Sequence, residues 1–545
     1  MTSSARALAA AAGVKSSAVM CCPLEAWGAV ARLTFWHRIP LMWKKSTSSL
    51  SRAVTAAITV GAAGTAAIMG ARAYQAAATG NTNGVAEARK VSRPASSIGG
   101  EYAPGAADRL SELITFRTVF SSSRDQIELE EFTGFIKALE RLYPAVHATL
   151  TREYVNGQAL LFTWAGTAED AAARAVVLMA HYDVVPVDTR DNWTHPGFSG
   201  RQEGDYVWGR GALDDKGAVV VLLDAVESLV KEGFAPRHDV YLSLGNNEET
   251  AGDSAAAAAT LLADRGVEPW LVLDEGGAVA VDAFPGLNVP AAVIGVAEKG
   301  ILDLELLTRG AGGHASTPPR MGATARLAQA VVALEESPFP ASMPAPIVEM
   351  MRRIGVNSGF GLRLVTENMW AFKALLTQAF GIMGDETRAL TRTTVAVTML
   401  EGSKAGNVLA STARAHVNIR IAVGESIESV VEHIRSIIDD PEVELNVISG
   451  RNPSPISSFE NEQFALLTSA VAASYPEAVV TPYIQTGATD SRNFTAISSA
   501  VYRFSPLLMD ASDRGSLHSV NERVRISSLG TGVVFYRELL QSLGR

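Results

Sequence analysis

Five short stretches of this 545-residue chain carry side chains able to hold divalent cations and to move protons. His181-Tyr182-Asp183 closes an apolar run. Gly209-Arg210-Gly211-Ala212-Leu213-Asp214-Asp215-Lys216-Gly217 begins 28 residues further on. Asn247-Glu248-Glu249 follows a second apolar run, and Asp274-Glu275-Gly276-Gly277 a third. His518 lies near the C-terminus. Taken singly, each is an ordinary hydrogen-bonded surface group. Taken together, they are imidazoles and carboxylates with no thiolate, because the two cysteines are Cys21 and Cys22. Imidazole with hard oxygen ligands suits Zn²⁺, with Mn²⁺ or Co²⁺ as alternatives. So many carboxylates in one cleft would repel unless cations sat among them. Two metals about 3.5–4 Å apart would resolve the repulsion. Side chains of neighbouring residues diverge at a strand end. One of Glu248 and Glu249 can therefore bind metal while the other faces a water.

The elements that must position these residues alternate between strand and helix. Apolar runs at 175–180, 239–245 and 270–273 end at the chemically able residues, and a helical stretch spans 217–231. Such alternation predicts an α/β fold with a mostly parallel sheet flanked by helices. Open α/β sheets place their sites at the carboxyl ends of strands. Residues 301–307, 394–400 and 413–421 alternate apolar with polar, as half-exposed strands do, with helical stretches at 322–335 and 347–382 between them. This predicts an α+β domain inserted into the first. The expected organisation is a targeting segment and spacer over 1–100, a catalytic domain over 101–299 and 451–545, and an inserted lid or dimerisation domain over 300–450.

Residues 53–71 are 19 consecutive uncharged, mostly small apolar residues, preceded by a basic region and closed by Arg72. That is just long enough to cross a bilayer, which takes about 20 apolar residues. The reading is a single-pass anchor with the catalytic domain outside the cytoplasm. A cleaved signal peptide ending near Ala71-Arg72-Ala73 and a buried Ala-rich helix are the alternatives. With 47 basic and 57 acidic residues the chain carries −10, which argues against nucleic-acid binding.

The motif set over about residues 105–540 resembles the co-catalytic zinc exopeptidases and aminoacylases. Within them it is most similar to the carboxypeptidase S branch, which includes a secreted N-acyl amino acid synthase/hydrolase. The resemblance implies that His181 and Asp274 bind one zinc, Glu249 and His518 the other, and that Asp214 bridges both. Asp214 is chosen over Asp215 because the family motif reads Asp-x-Lys-Gly, and Asp274 over Glu275 by position in the motif. Asp183 would hydrogen-bond the far nitrogen of His181. Glu248 would be the general base. A cis peptide would follow the bridging aspartate. In the inserted domain His314 matches the family's lid histidine, which stabilises the developing oxyanion; without the family it is a loop histidine. Asn407 and Arg420 match substrate contacts, although Arg420 also reads as a solvated strand charge. Gly487 lies in a glycine-rich pocket loop, and Arg492 is the rival for a substrate carboxylate. The implied reaction is hydrolysis of the amide next to a free α-carboxylate, in short peptides such as Gly-Xaa or in N-acyl amino acids. The resemblance leaves both a homodimer and a monomer-like arrangement open. Desuccinylation or ureide hydrolysis, and an inactive binding protein, are the alternatives.

Overall fold

The computed structural model describes residues 68–76 and 98–543 apart from 122, 189 and 285. All of them fall in the unit Gly64–Arg545. Ten strands form the central sheet. At its middle, Val240–Gly245, Val176–His181, Leu271–Asp274 and Val501–Arg503 lie side by side and parallel. The strand Val176–His181 is buried throughout. Its even residues Val176, Leu178 and Ala180 join one apolar cluster and its odd residues Val177 and Met179 another. A strand buried on both faces needs this continuous apolar run. Helices Ala103–Ile114, Lys216–Lys231 and Ile526–Leu543 cover the first face, and Ser254–Asp264 covers the second.

The sheet is mixed rather than mostly parallel. Thr151–Val155 and Ala159–Trp164 form a hairpin that adds antiparallel to Val240–Gly245. Its turn carries Asn156 and Gly157, both at positive φ. Asn-Gly between two apolar runs is a strong local hairpin signal. Beyond Val501–Arg503 the strand Ala291–Glu298 runs antiparallel to it and to Val279–Ala280. The strands that carry the candidate ligands keep the expected parallel order, and so do the pairs Val479–Gln485 with Ala291–Glu298 and Leu508–Met509 with Val279–Ala280.

The inserted region has two parts. A four-stranded antiparallel sheet runs in the order Thr394–Glu401, Thr412–Ile421, Gly300–Arg309, Val443–Arg451. Helices Ala323–Glu336 and Ile427–Ile438 seal one of its faces. The second part is helical. The expected single stretch at 347–382 is broken into Ala345–Val356, Phe360–Thr366 and Met369–Met383. Gly359 and Asn368 interrupt it. Ile347, Met350, Met351 and Ile354 pack on Val479 and Ile484 of the strand Val479–Gln485, which pairs with Ala291–Glu298. The helical part therefore shares a core with the central sheet.

No helix among the described residues is long and apolar enough to cross a membrane. Most of the 53–71 run lies outside the described residues. Residues 68–76 are helical.

Candidate metal centre

The carboxyl ends of the parallel strands bring the sequence-derived ligands together. His181 is the last residue of Val176–His181. Glu248 and Glu249 begin a 3-10 turn just past Val240–Gly245. Asp214 ends the loop that opens the helix Lys216–Lys231, and the Asp214–Asp215 peptide is cis. His518 comes from a C-terminal loop where it takes φ +55°.

Asp214 stands between the two histidines. Its Oδ1 lies 3.0 Å from His181 Nε2 and its Oδ2 3.0 Å from His518 Nε2. Glu249 Oε2 is also 3.0 Å from His518 Nε2. Ligand atoms of His181, Asp214 and Glu249 all lie within 4.8 Å of one another. Ligand atoms of His181, Asp215 and Glu275 also lie within 4.8 Å of one another, and Asp215 Oδ2 accepts from the His181 amide at 3.2 Å. Asp214 thus presents one oxygen to each histidine.

The other acidic choice needs correction. Glu275, not Asp274, faces His181, with its Oε1 3.4 Å from Nε2. Asp274 is the last residue of its strand and is buried. Its Oδ2 accepts from the Ser491 amide at 2.7 Å and so anchors the Gly487–Arg492 loop. The side chain one residue past the strand end swings into the cleft, and motif position alone does not reveal this. Asp183 stands against the far nitrogen of His181. His181 Nδ1 is 3.0 Å from the Asp183 backbone carbonyl and 3.4 Å from its carboxylate. The carboxylate also accepts from the amides of Glu248 and Glu249, each at 3.1 Å. One buried Asp thus fixes both the imidazole and the Glu-Glu turn.

The electrostatics are those of crowded acids. Burial pushes Glu275 up to about 8, with the neighbouring Asp214 charge adding to the shift. Burial and the Glu275 charge hold Glu248 well above the usual carboxylate range. Asp490, reached by no sequence assignment although it lies between Gly487 and Arg492, is raised by burial and by Asp274 to about 7. Burial would raise Asp214 too, but hydrogen bonds from His181 and His518 outweigh it and hold that carboxyl low. Hydrogen bonds to Asp214 and Glu249 push His518 up to about 10. Buried Glu249 Oε1 and Asp215 Oδ1 have no hydrogen-bond partner among the described residues. Two histidines, a carboxylate presenting one oxygen to each, and an orphaned buried carboxylate oxygen form a donor set that fits divalent zinc.

A buried ion pair that no sequence signal marks ties the two ligand loops together. Glu522 is fully buried, and its Oε1 accepts from the amides of Leu213 at 2.9 Å and Asp214 at 3.2 Å. Its Oε2 meets Arg210 Nη1 at 2.5 Å, and Arg210 Nη2 donates to the Ser519 carbonyl at 3.1 Å. Asp214 and the His518 loop are thereby held by one pair. Glu522→Gln is expected to lower zinc affinity about 10- to 100-fold, as loss of a ligand-orienting partner does. Competition against a zinc chelator measures it. The double change Arg210→Met with Glu522→Leu should recover folding stability without recovering that affinity, since apolar replacement of a buried pair is close to neutral. Unchanged zinc affinity in both would remove the pair from the site.

The inserted-domain residues stand apart from this cluster. His314 is exposed and its Nδ1 is 2.7 Å from Ser316 Oγ. Asn407 is exposed, and its carbonyl accepts from the Ala315 amide. Arg420 is half-buried on Thr412–Ile421, opposite Ile301 and Thr394. Among the described residues no hydrogen bond or ion pair joins these three to the cluster. Arg492, by contrast, lies in the turn Asp490–Phe494 and acts electrostatically on Asp490 and Glu298. Gly487 is half-buried in the loop just before that turn. A cavity of about 650 Å³ opens beside His518, with Pro186, Asp191, Arg210 and Val520 in its wall.

The mixed sheet and this carboxylate–imidazole cluster define a metal-dependent hydrolase. Residues 177–542 match the model of peptidase family M20/M25/M40, and the chain belongs to that family. It is 33% identical over 446 residues to a probable carboxypeptidase S-like 2 of Dictyostelium discoideum, covering 80% of this chain and 84% of the relative. It is 33% identical over 462 residues to the human N-fatty-acyl-amino acid synthase/hydrolase PM20D1, covering 84% and 91%. Among solved structures, the M20 metallo-carboxypeptidase Sso-CP2 of Sulfolobus solfataricus shares the fold, with TM-score 0.58 and 17% identity over 81% of this chain and 99% of that one. Human carnosine dipeptidase 1 does likewise, with TM-score 0.54 and 15% identity over 81% and 97%. The expected family and enzyme class hold. The enzyme is a metallo-carboxypeptidase or amidohydrolase acting on peptides or N-acyl amino acids.

Proposed function

We propose that the chain hydrolyses N-acyl amino acids and short Gly-Xaa peptides at the amide next to a free α-carboxylate. His181 and Glu275 would hold one zinc, Glu249 and His518 the other, with Asp214 between them. Bound there, the pair of cations supplies Lewis acidity and makes a water more acidic. Glu248 removes the proton from the attacking water and returns it to the departing nitrogen. Asp183 keeps His181 and the Glu248–Glu249 turn in register. Arg492, at the edge of the cleft, receives the substrate carboxylate through its planar fork. His314, Asn407 and Arg420 would complete the pocket from the inserted domain of a second copy, which is why a homodimer belongs to this reading. The 53–71 run would tether the enzyme to a membrane with its catalytic part outside the cytoplasm.

The observation that carries the reading is Asp214, which meets both histidines at 3.0 Å. The test is a mixed library of dipeptides and N-acyl amino acids given to zinc-loaded enzyme, with release of free amino acid followed by mass spectrometry. Release should stop with a chelator and return with zinc. No release from any member would overturn the substrate class.

A further inference from the structure

A surface helix of a water-soluble domain normally turns charged and polar residues outward. The helix Met369–Met383 does not. Its exposed residues Trp370, Ala371, Ala374, Leu375 and Ile382 form one arc interrupted only by Gln378. Lys373, at the flank of that arc, is the only charged residue in the helix. Trp370 and Leu375 are each 63% exposed and Ile382 is 87% exposed. Phe360 at the start of a neighbouring helix is 59% exposed. Six of the seventeen large exposed apolar side chains among the described residues lie on this helix, on Phe360–Thr366 or on the helix 68–76, the last giving Ile68 and Tyr74.

The place of these residues says what should cover them. Asn368, which opens Met369–Met383, donates from Nδ2 to the Met69 carbonyl at 3.2 Å. Arg72 attracts Glu367 beside it. Residues 68–71 are the carboxyl end of the 19-residue uncharged run. That run therefore meets the described fold at the root of the apolar arc. Anything apolar into which the run inserts is brought against the same surface.

We propose that the outer face of Met369–Met383, with Phe360, is a docking surface for a phospholipid bilayer. The helix lies in the plane of the interface, its apolar side about 5–10 Å into the headgroup boundary. Trp370 sits at headgroup level, where an amphipathic ring is favoured, and the Lys373 stem lets its ammonium stay in water. An acyl chain dissolved in that bilayer would then reach the enzyme without crossing water. This inference rests on the reading that residues 53–71 reach a membrane.

The test uses the full chain with Cys21→Ser and Cys22→Ser, carrying an environment-sensitive fluorophore at Leu375→Cys. Phosphatidylcholine vesicles, with or without spin-labelled lipid, are the probe. Leu129→Cys, 59% exposed on the helix Leu129–Leu142, is the control on the same tethered chain. The label at 375 should shift to the blue on vesicles and be quenched several-fold more than the label at 129. Adding Trp370→Glu and Ile382→Glu should abolish the shift. A chain that sediments with vesicles while position 375 stays aqueous overturns the docking surface and leaves the tether standing. A chain that does not sediment overturns both. A shift without vesicles that grows with protein concentration assigns the face to a second copy, and one independent of concentration assigns it to the chain's own N-terminal residues; either overturns the proposal. Peptide hydrolysis does not enter the readout, so its failure would count against the catalytic reading alone.

Discussion

Glu248→Gln is expected to lower kcat about 10²- to 10⁴-fold, the usual contribution of a general base. That corresponds to roughly 3–5 kcal/mol of transition-state stabilisation. Zinc content should not change, because the five groups expected to hold metal are untouched. The amide is isosteric with the carboxylate, so packing survives, and the backbone at position 248 remains tied to Asp183 Oδ1 at 3.1 Å. Only the capacity to take a proton is removed. Glu248 suits this task because burial, reinforced by the charge on Glu275, strengthens its affinity for a proton. A base with a raised pKa can accept a proton from water and still release it to a leaving amine. Steady-state kinetics with metal analysis on the same samples gives the answer. Activity within a few-fold of the parent would remove Glu248 from the reaction. Loss of zinc alongside loss of activity would make it a ligand instead.

The second large effect concerns folding. Arg503→Met is expected to destabilise the protein by about 3–5 kcal/mol, the cost of leaving a buried charge without its partner. Arg503 is fully buried, its Nε lies 3.2 Å from Glu298 Oε2, and its Nη1 donates to the Val501 carbonyl at 3.1 Å. Gly276 and Gly295 make room for it, since a Cβ on either would stand 3.0 Å from the Arg503 Cβ. Glu298 in turn accepts from the amide and hydroxyl of Thr489, at 3.1 and 3.0 Å. The pair therefore holds the Gly487–Arg492 loop against the sheet. The loss should depend on pH in a fixed direction. Burial already raises the Glu298 carboxyl and Arg503 opposes that rise. Without the arginine the folded-state pKa climbs further above the unfolded value near 4.3. A group with a raised folded pKa favours the fold below its unfolded pKa, and the benefit fades as pH rises through the folded value. The variant should regain stability on acidification toward pH 5 and be weakest near pH 8. Adding Glu298→Gln should restore most of the loss at neutral pH. Denaturant titrations at the two pH values measure this, and a deficit independent of pH would show that the charge on Glu298 is not its source.

The sequence made the reactive residues legible because each lies at the end of an apolar run. His181 and the Glu248–Glu249 pair needed no more than that pattern to be placed at one edge of a sheet. Asp214 is preferred to Asp215 only through the motif around Lys216, and both stand near His181. Asp274 and Glu275 were not separable, because which of two adjacent acids enters the cleft depends on where the strand stops. Arg210 and Glu522 escaped notice because they lie 312 positions apart. Nothing local marks either as half of a pair. The antiparallel margin of the sheet had a local signal at Asn156-Gly157, but the apolar periodicity of the central strands masked it. The strand Val479–Gln485 pairs with Ala291–Glu298 and packs on the helical insert, contacts that no short window contains.

The two imidazoles that flank Asp214 are separated by 337 positions, and this sets a clock on maturation. A ribosome adding about 5–20 residues per second leaves roughly 17–70 s between making the first and the second. Throughout that interval the nascent polypeptide holds a half-built pocket that cannot cut its neighbours. On this reading competence arrives only once His518 has been made, and the helix Ile526–Leu543 that packs against Lys216–Lys231 follows it. A premature stop ahead of His518 is expected to yield an inert product, however much of the sheet has already formed.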